Sequence, residues 1–272
     1  MLYNLQIVFR SPRRALRRLP IATMAMVFPL SITLGACGGS SDSQNRSPQI
    51  LVAAASNLRP AFEDLAWQFT DETSIEVVFT FGASGQLREQ VLNGAPFDVF
   101  APADPSFTTE IIDQGLATQE SEVEYAIGRL ALWSAPNVET PADITQLADS
   151  QFERIAIANP EIAPYGLAAV QSLTATGVLP TAQNKLVYGE SISDTKQIID
   201  SGNAPVGIIA LSLAIADGRP YVTIPESLHE PLVQTIVNVA TSDRTEFAQR
   251  WIDYLSSPAG VSVLEKYGFA RP

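Results

Sequence analysis

The 272 residues are 46% hydrophobic and carry a formal net charge of −12. That composition supplies ample core for one large or two modest domains and excludes a chain too polar to fold. One Cys and one His leave no material for an intramolecular disulfide or a Cys/His metal cluster, and beyond the N-terminal segment no basic stripe offers itself to nucleic acid.

The chain opens with a segment unlike the rest. Arg10, Arg13, Arg14, Arg17 and Arg18 form a basic run without an acid, and Ile21 to Ala36 is almost wholly apolar. A basic region, then a short apolar run, then small residues is a secretory signal pattern, and the run is short for a membrane span. Leu34-Gly35-Ala36-Cys37 resembles the bacterial lipobox, so residues 1–36 read as a lipoprotein signal peptide with Cys37 as the lipidated first mature residue. Residues 37–48, rich in Gly, Ser, Asn and Asp, read as a flexible tether. Taking the five arginines from the 17 basic residues leaves 12 against 29 acidic ones, a net of −17 for the mature chain.

The folded part begins near Gln49. Ile50-Leu51-Val52-Ala53-Ala54-Ala55 reads as a strand, and Ser56-Asn57 precede Leu58, Phe62, Leu65 and Phe69 at helical spacing, the place of a helix N-cap. Ile75–Phe81 is a second strand, followed by the turn Gly82-Ala83-Ser84-Gly85 and a helix from Leu87 that stops at Asn93-Gly94. Phe97–Ala101 is a third strand, with Asp104 as cap of the next helix. Ile127–Trp133 is a long extended segment. A second run then follows: strand Arg154–Ala158, helix from Pro164-Tyr165-Gly166, strand Leu186–Tyr188, helix after Ser191, and buried strand Val206–Ala210. Val233–Val239 is a second extended crossing. A helix bearing Phe247, Trp251, Tyr254 and Leu255 and a short one over Pro258–Tyr267 close the chain. Strands alternating with helices give mainly parallel sheets flanked by helices. Two such α/β runs joined by two crossings give two lobes with a hinge: residues 49–127 with 234–272, and residues 128–233.

Four turns share one grammar of strand, small or polar residues, helix start: Ser56-Asn57, Ser84-Gly85, Tyr165-Gly166 and Ser191-Ile192. Such turns lie at the carboxyl ends of strands, where α/β folds bind ligands. Four helix N-termini around one cleft form an anion cage of N–H donors and dipole ends. None of the turns carries Lys, Arg or His, so the cage consists of neutral donors. It suits an oxyanion that is fully deprotonated at neutral pH, whereas a protonated phosphate wants an acceptor as well. Each turn taken alone could equally be an ordinary helix start.

The stretches Leu51–Leu58, Phe81–Leu87, Gly94–Phe100 with Ala103-Asp104, Asn159-Pro160, Ala163–Gly166, Ala204–Ile208 and Lys266–Phe269 resemble the molybdate-binding proteins of bacterial ABC importers. The resemblance spans about Ile50 to Phe269. It implies a two-lobed periplasmic-binding-protein fold (type II-like). It also implies an extracytoplasmic carrier of molybdate or tungstate, expected as a monomer, with a membrane permease as partner and no cofactor, while the lipobox adds the lipid anchor. By this resemblance Ser56 and Ser84 give hydroxyl and backbone donors, Asn57 a backbone donor and Ile192 a backbone N–H. Tyr165 stands where some members have a small residue. Those members take a Tyr hydroxyl from the position of Ala210, which has none. The metal of molybdate would then be held through its oxygens by Ser56, Ser84, Tyr165 and Ile192.

Other chemistry finds little support. Asp98 and Asp104 could be metal ligands or an acid–base pair, but a strand end and a helix cap account for them. His229 lies in a polar loop and Gly82–Gly85 lacks the Gly-x-Ser-x-Gly spacing, which argues against a hydrolase. Gly-rich nucleotide motifs are missing. Trp67, Trp133 and Trp251 read as packing residues. The alternatives that stay open are a carrier of another small oxyanion, such as sulfate, and an exported enzyme on the same scaffold.

Overall fold

The computed structural model describes residues 48–272. The signal segment, Cys37 and most of the tether lie outside these described residues. In chain order the elements are β1 Gln49–Ala55, a 3-10 turn Ser56–Leu58, α1 Arg59–Thr73, β2 Glu76–Gly82, α2 Ser84–Leu92, β3 Val99–Ala101, α3 Pro105–Asp113, β4 Val123–Gly128 and β5 Leu130–Ser134. Then come β6 Ile155–Ala158, α4 Pro164–Ala175, α5 Leu179–Ala182, β7 Leu186–Gly189, α6 Ile192–Asp200, β8 Val206–Ala210, α7 Leu211–Asp217, β9 Val222–Thr223, β10 Leu232–Asn238, α8 Thr245–Leu255 and α9 Pro258–Lys266.

The strands form two five-stranded sheets, ordered β2-β1-β3-β10-β4 and β7-β6-β8-β5-β9. The second repeats the first with one strand in each place. Four strands of each sheet run one way; β10 and β5 run against them. The crossings explain the reversal. β4 ends at the carboxyl edge of its sheet, the chain passes over through Arg129, and β5 enters the second sheet from that edge and runs away from it. β9 and β10 repeat the step in the other direction. Val233–Val239, read from sequence as the second crossing, falls almost wholly in β10, which is paired along its length with β3 and β4, so the passage itself occupies residues 224–231.

Burial follows from the apolar pattern. In β1, Ile50, Val52, Ala53 and Ala54 are fully buried, as both faces of a parallel inner strand must be. Helix α1 buries Ala61, Phe62, Leu65, Ala66 and Phe69, a stripe at helical spacing, and ends at Ser74 in left-handed conformation (φ 59°). Trp251 of α8 sits in an aromatic cluster with Phe62, Phe69 and Phe79 at ring distances of 5.5, 5.3 and 5.9 Å. Trp133 is likewise buried, with its indole N–H on Asp200. Trp67 is not a packing residue: it is 72% exposed, because it lies off the buried stripe of α1. Asp98 and Asp104 hold the frame. Asp104 caps α3 by accepting from Ser106 N, while Asp98 accepts from Leu51 N and pairs with Arg244 at 3.0 Å.

Candidate functional site

The carboxyl ends of β1, β2, β6 and β7 meet between the sheets. There Ser56, Asn57, Ser84, Tyr165 and Ile192 line one small cavity with an empty volume of about 190 Å³. All five are at most 4% exposed. The rest of the lining is Pro164 and small residues, among them Ala83, Ala103 and Ala163. Only about 10 Å³ of the cavity is open to a water-sized body, far below the roughly 300–1,000 Å³ of sites for drug-sized ligands, so the site is closed down to a very small space.

The sequence reading of Ser56 or Asn57 as N-cap does not hold. Neither the 3-10 turn nor α1 has a side-chain cap. A tight turn carries the chain from β1 into α1, and Pro near the start of α1 has no N–H that needs capping. The Ser56 hydroxyl is thereby released for other work. It accepts from Ser193 N at 3.2 Å, and Ser193 Oγ donates to Ser56 O at 3.1 Å. Ser84 Oγ accepts from Ala103 N at 3.1 Å. A hydroxyl that accepts a backbone N–H keeps its own proton for another partner.

The helix starts add backbone donors. Ser84 and Ile192 are the first residues of α2 and α6, and Tyr165 is the second of α4, positions whose N–H groups have no intrahelical acceptor. Neither α2 nor α4 has a side-chain cap, whereas Ser191 caps α6 by accepting from Asp194 N. Each N-terminus also brings the positive end of its dipole to the cavity. None of the lining residues is Lys, Arg, His, Asp or Glu.

Tyr165 reaches the cavity from α4, and Asn57 Nδ2 donates to its hydroxyl at 3.1 Å. Burial pushes the phenol of Tyr165 well above its ordinary range, so it keeps its proton at physiological pH. Asn57 Nδ2 also donates to Gln234 Oε1 at 2.8 Å, and Gln234 Nε2 donates to Leu232 O at 2.8 Å. Asn57 Oδ1 is buried without a partner among the described residues. Gly128, the last residue of β4, lies under the Tyr165 hydroxyl: a Cβ there would meet Oη at 2.0 Å.

Further bonds join the residues of the first sheet to those of the second. Gly85 N donates to Ile162 O at 2.9 Å, and Ser212 Oγ to Asn57 O at 2.7 Å. With the Ser56–Ser193 pair these describe lobes closed on one another. Gln234, Gly128, Ser193 and Ser212 are the residues that sequence reasoning missed. An amide within the apolar run Leu232–Val239 and a glycine at the start of a crossing were the signals available for the first two.

The family model described as bacterial extracellular solute-binding protein matches residues 50–270. The chain belongs to that family. It is a solute-binding protein and not an enzyme, and it has curated homologues. The molybdate-binding protein ModA of Rhodobacter capsulatus is 35% identical over 222 residues, 81% of this chain and 88% of that one. A solved structure of the Azotobacter vinelandii periplasmic molybdate-binding protein is 34% identical, with a TM-score of 0.77 over 82% of this chain and 99% of that one. A putative ABC transporter substrate-binding lipoprotein of Bacillus subtilis, YvgL, is 25% identical over 85% of this chain and 89% of that one. The two-lobed α/β fold expected from the sequence is the fold of the binding protein.

Proposed function

We propose that the binding protein captures molybdate or tungstate between its lobes outside the cytoplasm and delivers it to the permease of an ABC importer. The observation that carries this reading is the neutral, donor-rich cavity. Ser56, Ser84 and Tyr165 offer hydroxyl protons, and the turn at Asn57 and the helix starts at Ser84, Tyr165 and Ile192 offer backbone N–H groups. Donors suit the oxygens of a tetrahedral dianion. The metal centre of the anion is held through those oxygens and not by protein ligands. One lobe carries the first sheet and the other the second, with boundaries within two residues of the 127/128 and 233/234 expected from the sequence, and closure assembles donors from both. The protein acts as a monomer anchored through lipid on Cys37, with residues 37–48 as tether.

The ligand class is tested by melting. At a ligand concentration of 100 times Kd the linkage gain is roughly 2.7 kcal/mol, which raises Tm by about 5–10 °C in a domain of this size. Molybdate and tungstate should give that shift; phosphate, which carries a proton at neutral pH, should give little. Equal shifts from all oxyanions, or none, would sink the reading. The anchor is tested by a fatty-acid probe in cells producing the full chain: the parent protein should label and Cys37→Ser should not, while equal labelling of the two removes Cys37 as the acylated residue.

A further inference from the structure

Gln234 lies on β10 next to the crossing, fully buried, and touches the cavity only through Asn57. From this network we infer that Gln234 is a positioning residue that fixes the direction of the Tyr165 hydroxyl proton and so makes the cavity select fully deprotonated oxyanions. The inference rests on the proposed capture of an oxyanion by the five cavity residues.

The argument is one of donor and acceptor parity. Leu232 O is a backbone carbonyl and can only accept. The group of Gln234 that faces it at 2.8 Å must therefore be the amide NH2, which turns Oε1 toward Asn57. Oε1 can also only accept, so the group of Asn57 that faces it at 2.8 Å is Nδ2. Asn57 Nδ2 has two hydrogens. One goes to Gln234 and the other to Tyr165 Oη at 3.1 Å. Tyr165 Oη is thereby an acceptor toward Asn57, its own proton points away from that amide, and in the relay it is given to the cavity that Tyr165 lines. One carbonyl at the start of β10 thus sets the polarity of three side chains in a row.

Two consequences follow. Both Asn57 Nδ2 hydrogens are committed, so its side chain offers an anion no donor; Asn57 serves the ligand through its backbone, and its side chain serves Tyr165. The Asn57–Tyr165 bond also joins the first lobe to the second, so the hydroxyl is aimed only once the lobes have closed. A hydroxyl locked as donor meets an oxygen that accepts. It has nothing to offer the proton of a hydrogen phosphate.

Gln234→Met keeps the length of the side chain and removes both polar ends. The Asn57 amide is then free to turn Oδ1 toward Tyr165 and draw the hydroxyl proton out of the cavity. Calorimetry with molybdate on the parent, Gln234→Met, Tyr165→Phe and the double variant reads this directly. In the parent background Tyr165→Phe should weaken binding by about ten- to a hundredfold, the value of a hydrogen bond to a charged group. Gln234→Met should weaken it by about tenfold, and Tyr165→Phe should then cost about threefold or less, because coupled residues are not additive. The preference for molybdate over phosphate should also fall in Gln234→Met, which loss of packing alone would not produce. Losses that multiply independently, with unchanged preference, overturn the relay. A parent that binds no oxyanion overturns the capture reading itself and the relay with it.

Should Gln234→Met fail to fold, side-chain amide NMR of the unsubstituted protein decides. Both Asn57 Nδ2 protons should exchange slowly, with one close to the Tyr165 ring. Fast exchange, or no proximity to that ring, overturns the inference.

Discussion

Gly128→Ala is expected to abolish tight ligand capture while leaving the fold in place. The added Cβ would lie 2.0 Å from Tyr165 Oη, 2.9 Å from Cζ and 3.1 Å from Gln234 Nε2. Separations below 3.0 Å force a shift, and the Tyr165 ring has nowhere to go, being 2% exposed between the lobes. Either the ring leaves the cavity, losing the Asn57 bond and the ligand contact proposed for its hydroxyl, or the lobes stay apart. Under the proposed reading both outcomes remove at least one hydrogen bond to a charged oxygen, roughly 1.5–3 kcal/mol, and the first also leaves one hydrogen of the buried Asn57 amide unpaired at a further cost of about 1–3 kcal/mol. Affinity should fall more than about a hundredfold, from these combined losses. Gly128 is not among the glycines with positive φ, so alanine is allowed on backbone grounds and the unliganded Tm should change little. Binding at parental strength in calorimetry would show that the ring does not sit over Gly128.

The largest effect on stability is expected at Trp251. Its ring is fully buried and meets Phe62 and Phe69 edge-on, with Phe79 also in contact range, so it ties α8 to α1 and β2. Its indole N–H has no partner among the described residues, so truncation forfeits packing and no hydrogen bond. A large aromatic cut to alanine costs about 3–5 kcal/mol through lost transfer energy and the cavity left behind. For a domain of this size Tm should fall by about 6–20 °C. A fall of less than about 3 °C in a calorimetric scan would mean that the cluster repacks around the gap. Trp67→Ala offers the contrast, because that ring is exposed and should leave Tm nearly unchanged.

Much of this molecule was legible because its strands are short, apolar and followed by small residues. Ile50–Ala55 and Val206–Ala210 announce buried parallel strands, and Ser84, Tyr165 and Ile192 stand at helix starts where the chain itself says so. Ser56 was placed in the right turn, and only the capping role read for it fails, since a turn read from sequence does not say whether a hydroxyl points at its own helix or across a cleft. The relay through Gln234 and the glycine under Tyr165 were hidden for a related reason. Their partners lie 177 and 37 residues away, the first as hydrogen-bonded and the second as numbered along the chain. Local pattern carries no information about such pairs: packing within the first sheet's lobe brings Gln234 to Asn57, and the approach of the second lobe brings Tyr165 over Gly128. Trp67 shows the converse: aromatic character alone does not decide burial, and the position of the residue on α1 does.

The central claim is that hydroxyls and helix N-termini from both lobes hold one tetrahedral oxyanion. Titration of the protein with molybdate in a calorimeter, repeated for Ser84→Ala and Tyr165→Phe, tests it most directly. One molybdate per chain should bind to the parent, and each variant should bind about ten- to a hundredfold more weakly, since each loses one hydrogen bond to a charged oxygen together with the bond its hydroxyl accepts, from Ala103 N in Ser84→Ala and from Asn57 in Tyr165→Phe. Absence of heat and of saturation with the parent, or both variants binding as tightly as it does, would contradict the account.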